Sequence, residues 1–284
     1  MEYLSYTGKG VGVAVLDTGI FPHMDFRNRI HAFADFVAYK SMPYDDNGHG
    51  THVAGILAGD GTASMGKYKG VAPGCGLVAL KVLDRFGNGS REQVLRAFRW
   101  ILDHREQYRI RIVNISVGTT CRSVSDQDVL IQGVEKLWDE GLVVVAAAGN
   151  QGPKPGSVTA PGSSRKVITV GSSDMLTGRS AVSGCGPTAE CVCKPDLVAP
   201  GNHIVSCAPG TANTYGVKSG TSMSTPLVSG AIALMLEKDP LLTNVEIKML
   251  LRESTDDMGL PRNRQGWGKF NFHKFMPCAK PFKR

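Results

Sequence analysis

The chain has 284 residues, of which 42% are hydrophobic and 20% charged, with a formal net charge of +7. This apolar content is enough for one sizeable core and excludes the composition of a disordered chain. No apolar run approaches the ~20 residues needed to span a bilayer. The excess of Lys and Arg is not accompanied by a nucleic-acid-binding motif or by aromatic residues interleaved with the basic ones. We therefore expect neither a membrane nor a nucleic-acid partner.

Short apolar runs alternate with helical patterns along the chain. Continuous apolar runs are typical of parallel strands that are covered on both faces, and they occur at residues 11–16, 77–83, 110–115 and 142–148. Amphipathic patterns predict helices over residues 91–105, 126–140 and 241–253, the last with a capping-box spacing between Thr243 and Glu246. The alternation predicts an α/β fold with a mostly parallel central sheet and helices on both faces. We expect one domain over residues 1–284, with an N-terminal extension (1–9) and a C-terminal tail (269–284).

Seven cysteines are an odd number, which does not favour a disulfide framework. Cys185, Cys191 and Cys193 cluster in sequence, but they lack paired CxxC spacing and a nearby histidine, so we interpret them as loop cysteines rather than a zinc or redox site. The N-terminal residues show no signal-peptide pattern. Together these features predict a cytoplasmic location, or secretion if the chain is a trimmed mature form.

Asp17 is the first candidate for chemistry, in the segment Ala-Val-Leu-Asp-Thr-Gly at residues 14–19. It follows a predicted buried strand, and functional groups of open α/β sheets collect at the carboxyl ends of strands. An aspartate that only caps the next turn is the alternative.

His49 and His52 lie in the segment Asp-Asn-Gly-His-Gly-Thr-His at residues 46–52. Small residues at helical spacing follow, which predicts a buried helix with His49 near its N-terminal end. Either histidine could be catalytic, and a purely structural histidine is the alternative.

Ser222 lies at the start of a strongly apolar helical run that ends near Leu236. At that position the backbone N–H groups and the helix dipole favour negative charge, as a tetrahedral oxyanion requires. Pro226 is expected in the first turn, where proline is tolerated. A plain N-cap serine is the alternative.

Taken together, three ordered motifs resemble those of the subtilases, the subtilisin-like serine proteases. They are Asp17-Thr-Gly, His49-Gly-Thr-His and Gly220-Thr-Ser222-Met, in the order Asp, His, Ser that distinguishes subtilisin from chymotrypsin and the α/β-hydrolases. The similarity extends over residues 10–267. It implies a three-layer subtilisin-like fold and a catalytic triad of Asp17, His49 and Ser222.

The resemblance also implies a substrate site. The Asn150 side-chain amide would donate to the developing oxyanion. One wall of the specificity pocket would be Ser116, Val117 and Gly118, and the other Ala147, Ala148 and Gly149. An edge segment, formed by Gly87, Asn88 and Gly89, would pair with extended polypeptide by β-augmentation. Neither wall carries an acidic residue, so we expect a broad preference for apolar or aromatic side chains rather than for Arg or Lys.

Two departures from the family pattern stand out. Leu227 replaces a histidine found in many relatives, from which we expect a change of packing only. Residues 59–69 lack the asparagine-rich calcium turn of secreted subtilisins. Asp25 matches a family calcium-ligand position, so structural calcium is a possibility rather than a prediction.

The resemblance predicts a serine endopeptidase that needs no cofactor for its chemistry. The rival interpretation is a non-catalytic subtilase-like scaffold that binds peptides, and a third is an esterase or peptide ligase that uses the same triad. The sequence does not predict the oligomeric state.

Overall fold

Nine strands form the central sheet of the protein. The structure, a computed structural model, describes residues 6–118 and 124–278, without the side chains of residues 124–128 and 278. The strands of this sheet are β1 (Gly12–Asp17), β2 (Ile30–Asp35), β3 (Gly76–Lys81), β4 (Ile110–Ile115), β5 (Val143–Ala147), β6 (Ile168–Ser172), β7 (Leu197–Ala199), β10 (Thr255–Asp256) and β11 (Lys269–Phe270). Two further strands, β8 (Ile204–Cys207) and β9 (Tyr215–Lys218), form a separate antiparallel hairpin.

The sheet has the order β10-β11-β7-β6-β5-β4-β1-β3-β2. All neighbouring strands pair in parallel except the short β10 and β11 at one edge. The four strands predicted from apolar runs are β1, β3, β4 and β5, and all residues of these strands except Arg111 are buried. Because parallel strands end at the same edge, the residues that follow β1, β4 and β5 are brought to one side of the sheet.

The described part of the chain also contains seven α-helices: α1 (His49–Ala58), α2 (Arg91–His104), α3 (Val124–Asp139), α4 (Thr221–Lys238), α5 (Asn244–Glu253), α6 (Arg262–Gln265) and α7 (Phe272–Phe275). α1 packs on α4, which crosses β4 to β7, while α2 packs on α3, and α5 contacts β5. The predicted α/β architecture, a mostly parallel sheet with helices on both faces, is confirmed.

Capping residues explain where two of the predicted helices begin. Ser90 and Gln93 form a capping box at the start of α2, and Thr243 and Glu246 form the predicted box at the start of α5. Each box satisfies backbone N–H groups that have no partner within the helix. α5 therefore begins at Asn244, three residues later than the prediction over 241–253.

Helix α4 differs from the prediction at Pro226. This proline is the sixth residue of α4 rather than a first-turn residue, and it is buried. Proline has no N–H, so it cannot donate to the carbonyl of the residue four positions earlier, which is Ser222. The carbonyl of Thr221, one residue before, receives a bond from the Thr225 hydroxyl at 2.8 Å.

Both predicted terminal extensions contribute to the packed structure where it is described. The backbone N–H groups of Thr7 and Gly8 both donate to Glu237 Oε2 at 2.6 Å. At the other end, residues 269–278 include β11 and α7, and the buried rings of Phe270 and Phe275 meet edge to face at 5.5 Å. Among the described residues, no helix has the length and apolar character to cross a membrane.

Close contact between α4 and the segment after α1 yields a prediction. A methyl group on Gly230 of α4 would lie 2.6 Å from the Cβ atom of Val71, which cannot rotate away. Alanine normally stabilises a helix relative to glycine, but here we expect Gly230→Ala to reduce the free energy of unfolding by about 1–3 kcal/mol.

The measurement is denaturant unfolding of Gly230→Ala in a Ser222→Ala background, which avoids self-digestion. Gly216→Ala is the matched control, because its new methyl group would meet only Ala208 Cβ, at an ordinary 3.4 Å. An increase in stability for Gly230→Ala would contradict the packing described here.

Candidate active site

Asp17 is the last residue of β1. The sequence had predicted that it would directly follow the strand. Its side chain is buried, and Oδ1 accepts hydrogen bonds from the Thr18 N–H at 2.8 Å and from His49 Nδ1 at 2.7 Å. The other oxygen, Oδ2, is buried without a hydrogen-bond partner among the described residues. A carboxylate that is removed from water in this way directs its charge at the imidazole.

His49 begins α1, directly after Gly48, whose φ of +92° lets the chain turn into the helix. A quarter of the His49 side chain is exposed, against 1% for Asp17. Burial lowers the pKa of the His49 imidazole, but the charge and hydrogen bond of Asp17 outweigh it, and the pKa is raised above 6.5. The structure therefore provides an imidazole that is oriented by a carboxylate and open to solvent on one side.

Asp45 holds the start of α1 against β1, a role that the sequence interpretation missed. Its Oδ1 accepts from the Thr18 hydroxyl at 2.9 Å and the Gly48 N–H at 2.7 Å. Its Oδ2 accepts from the Thr51 N–H at 2.8 Å and the Thr51 hydroxyl at 2.6 Å. The available signal was an aspartate just before a predicted helix start, which is a common capping pattern.

His52, the second histidine candidate, has a structural position. It is fully buried, and its Nε2 lies 3.1 Å from the carbonyl oxygens of both Ile204 and Gly216. Burial lowers the pKa of His52 to about 4, so the ring is neutral at ordinary pH. His52 thus joins α1 to the β8–β9 hairpin.

Ser222 is the second residue of α4, and its side chain is nearly buried. Its hydroxyl donates to the carbonyl oxygen of Ser116 at 2.8 Å. Within the described residues the hydroxyl makes no hydrogen bond to His49, so the structure joins only Asp17 and His49 of the predicted triad directly. Hydroxyl rotamers are often displaced in a free enzyme and become aligned with substrate.

Asn150 follows β5 and is held by the N-terminus of α4. Its Oδ1 accepts from the Thr221 N–H at 2.9 Å and lies 3.2 Å from the Thr221 hydroxyl. With the carbonyl side of the amide fixed in this way, Nδ2 remains available as a donor. A Cβ atom on Gly220 would lie 3.0 Å from Nδ2, and the φ of +144° also favours glycine there.

The two predicted pocket walls lie at the carboxyl ends of the neighbouring strands β4 and β5, and Thr159 lies against both walls. A Cβ atom built on Gly118 would be 2.3 Å from Thr159 Oγ1, and one built on Gly149 would be 2.5 Å from it. Thr159 Oγ1 is buried and has no hydrogen-bond partner among the described residues. Sequence reasoning missed this residue because nothing near it in the chain indicates a long-range contact with both walls. The walls themselves, Ser116, Val117, Gly118, Ala147, Ala148 and Gly149, carry no charged side chain.

The predicted edge segment, residues 87–89, is an exposed turn after β3. Asp84 shapes it, since its Oδ1 accepts from the N–H groups of Phe86 at 2.8 Å and Asn88 at 2.9 Å. Gly87 has a φ of +80° and open space around its Cα. The segment is thus accessible to an extended chain. Leu227, on α4, is partly buried against the core.

Asp25 lies apart from these residues and is fully buried. Its Oδ1 accepts from the Ala63 N–H at 2.8 Å, and its Oδ2 accepts from the Tyr215 hydroxyl at 2.6 Å. The other ligand groups nearby are the His23 imidazole and the Cys207 thiol. Calcium takes six to eight oxygen ligands, so this donor set does not fit a calcium ion at Asp25.

The five cysteines whose side chains are described are free thiols. Cys75, Cys185 and Cys207 are buried, whereas Cys191 and Cys193 are exposed. Cys121 and the Cys278 side chain lie outside the described residues.

Comparison with known proteins places this geometry in a family. The sequence profile of the subtilase family matches residues 8–268. Serine protease AprX of Bacillus subtilis (strain 168) is 41% identical over 274 residues, covering 88% of this chain and 62% of AprX. Subtilisin Savinase of Lederbergia lenta is 38% identical over 265 residues, covering 93% of this chain and 90% of Savinase.

Solved structures agree with the sequence matches. A cold adapted subtilisin-like serine proteinase superimposes with a TM-score of 0.76 at 31% identity, covering 94% of this chain and 89% of the other. Sphericase superimposes with a TM-score of 0.78 at 27% identity, covering 94% and 92%. The chain therefore belongs to the subtilase family of subtilisin-like serine proteases.

Proposed function

We propose that this chain is a serine endopeptidase that hydrolyses polypeptides through an acyl-enzyme on Ser222. The observation that carries the proposal is the 2.7 Å contact between buried Asp17 and His49, in a chain whose family profile covers residues 8–268. An Asp–His pair of this kind activates a nearby serine, and Ser222 is the serine that matches the family motif.

In the proposed mechanism, the Ser222 hydroxyl leaves the Ser116 carbonyl by a side-chain rotation and donates to His49 Nε2. Ser222 Oγ then attacks the substrate carbonyl while His49 accepts its proton. Asp17 keeps the proton on His49 Nδ1 and stabilises the imidazolium that forms.

The negative charge on the substrate oxygen would be stabilised by Asn150 Nδ2 and by the Ser222 backbone N–H at the start of α4. Donors that are fixed before the reaction stabilise such charge without reorganising. Collapse of the intermediate transfers the His49 proton to the leaving amine, and a water molecule activated by His49 releases the acyl group. We propose no cofactor for this chemistry, because every step uses side chains and backbone N–H groups.

Replacement of the nucleophile tests the mechanism. We expect Ser222→Ala to lower kcat by about 10⁶-fold, a magnitude that is known for subtilisin. The measurement is hydrolysis of casein or of a chromogenic peptide. Ser224→Ala is the matched control, since that buried hydroxyl on the same helix donates to the Ala199 carbonyl and should leave most of the activity. Casein cleavage by Ser222→Ala at the parent rate would refute the proposal.

The raised pKa of His49 gives a second prediction. Protonated imidazole cannot accept the Ser222 proton, so kcat/KM should fall as the pH drops through the His49 pKa, which lies above 6.5. Asp17→Asn removes the charge that raises the pKa, so the acid limb should move to lower pH while kcat falls about 10⁴-fold.

The control for this pH profile is Asp139→Asn, whose carboxylate pairs with Lys166 on the surface at 2.8 Å. It should change neither the position of the acid limb nor kcat. An acid limb that stays in place in Asp17→Asn would show that Asp17 does not set the protonation of the base.

For the substrate, we propose a broad preference for apolar or aromatic residues on the acyl side of the scissile bond. The six wall residues carry no charge, and Thr159 lies between the walls as a small, partly polar stop. These seven residues offer no counter-ion for Lys or Arg.

Thr159→Gly removes the side chain between the walls. We therefore expect kcat/KM for a substrate with phenylalanine on the acyl side of the scissile bond to rise about tenfold relative to kcat/KM for the alanine substrate. One methylene group in an apolar pocket changes such a ratio by about 10–200-fold. Thr159→Val keeps the shape and should change this ratio little. Profiling with a peptide library would show both effects. Dominant cleavage after basic residues, or an unchanged ratio in Thr159→Gly, would contradict the proposed pocket.

The predicted cellular location stays a prediction.

A further inference from the structure

Three buried metal-ligand groups converge beside the 3₁₀ segment Met24–Arg29, away from the proposed catalytic residues. They are the His23 imidazole, the Asp25 carboxylate and the Cys207 thiol at the end of β8, and their ligand atoms all lie within 4.8 Å of one another. Cys207 Sγ is 3.6 Å from Asp25 Oδ2, and His23 Nδ1 is 3.9 Å from Asp25 Oδ1. These separations are close to those between the ligands of a tetrahedral zinc ion with bonds of about 2.0–2.3 Å.

The His23 imidazole has the tautomer that a metal ligand through Nδ1 requires. Its Nε2 lies 3.0 Å from the carbonyl oxygen of Thr214, which fixes the N–H on that nitrogen. Nδ1 is then the unprotonated atom, and it accepts the Asp25 N–H at 3.1 Å. Metal-bound histidines are commonly held by such a backbone carbonyl on the opposite nitrogen.

Gly59 lies next to two of the three groups. A Cβ atom built on Gly59 would lie 3.6 Å from Asp25 Oδ2 and 3.6 Å from Cys207 Sγ. Gly59 has a φ of −57°, so no unusual backbone angle requires glycine, although the carbonyl of Gly55 would also crowd a methyl group at 2.8 Å. Because Gly59 has no side chain, no methyl group lies against the carboxylate and the thiol on this side.

The mixture of nitrogen, oxygen and sulfur selects the kind of cation. Calcium and magnesium prefer oxygen ligands alone, whereas zinc accepts imidazole, carboxylate and thiolate together. We propose that His23, Asp25 and Cys207 form a structural binding site for Zn²⁺ or a similar thiophilic divalent cation. The ion would bind Nδ1, a carboxylate oxygen and the thiolate, with water as a fourth ligand.

Binding exchanges protons and hydrogen bonds in a defined way. The Cys207 thiol, which now faces Asp25 Oδ2, loses its proton to solvent as the metal–sulfur bond forms, and the ion replaces the Asp25 N–H at Nδ1. The Tyr215 hydroxyl can keep its bond to the carboxylate as a support outside the metal ligands. No oxidant or reductant is needed.

The consequence is a cross-link between distant parts of the chain. Cys207 and Tyr215 belong to the β8–β9 hairpin, and the chain runs from β9 directly into the helix of Ser222. His23 and Asp25 lie just after β1, which ends at Asp17. A cation at the cluster would therefore stabilise the folded state by joining the two segments that lead to the proposed catalytic residues.

The test measures metal binding rather than activity. We would use the full chain with Ser222→Ala, to avoid self-digestion, and with Cys191→Ser and Cys193→Ser, to remove the two thiols that are exposed among the five described cysteines. After treatment with a chelator, Co²⁺ is titrated as a spectroscopic probe and Zn²⁺ by calorimetry. We expect one equivalent, a cobalt–thiolate charge-transfer band in the near ultraviolet, and a higher melting temperature with Zn²⁺.

Three variants in this background decide the outcome. Cys207→Ser should abolish the thiolate band, and Cys207→Ser and His23→Gln should each weaken Zn²⁺ binding at least about tenfold. The matched control is Cys185→Ser, which replaces another buried free thiol. This variant should retain both the cobalt–thiolate band and the Zn²⁺ affinity of the parent background. Absence of Zn²⁺ binding in the parent background would overturn the proposal. So would Zn²⁺ binding in Cys207→Ser and His23→Gln that is as tight as in the parent background. If Cys207→Ser fails to fold, the His23→Gln result decides.

Discussion

The buried hydrogen bond between Asp17 and His49 is the interaction on which the site depends. It requires a buried carboxylate at the end of a central strand and an imidazole at the start of a helix, 2.7 Å apart. Neither group holds that position alone, because Asp45 ties Thr18 after the strand to Gly48 and Thr51 at the helix. The network satisfies the backbone donors at the start of α1 and fixes the ring at the same time.

The fold and the main motifs could be predicted from the sequence because their signals are local. Continuous apolar runs predicted β1, β3, β4 and β5, and the Thr243–Glu246 spacing predicted the start of α5 almost correctly. The parallel order of the sheet then brings the ends of β1, β4 and β5 together. The family matches agree with the resemblance that was based on three ordered motifs.

What the sequence did not predict depends on contacts between distant residues. Thr159 meets both Gly118 and Gly149, and Cys207 lies 3.6 Å from Asp25 although 182 positions separate them. The orientation of the Ser222 hydroxyl toward Ser116 is a rotamer choice, which no motif encodes. Pro226 lies deeper in α4 than helix propensity favours, because the packing of a buried helix outweighs the loss of one hydrogen bond.

The central claim is that Asp17 and His49 activate Ser222, and reaction with a fluorophosphonate probe tests it most directly. Only an activated serine attacks such a probe, and peptide mapping by mass spectrometry locates the adduct. The account predicts one phosphonylated residue, Ser222, with labelling that is lost in His49→Ala. An unlabelled folded protein would favour the peptide-binding scaffold, and an adduct at another residue, or equal labelling without His49, would contradict the account.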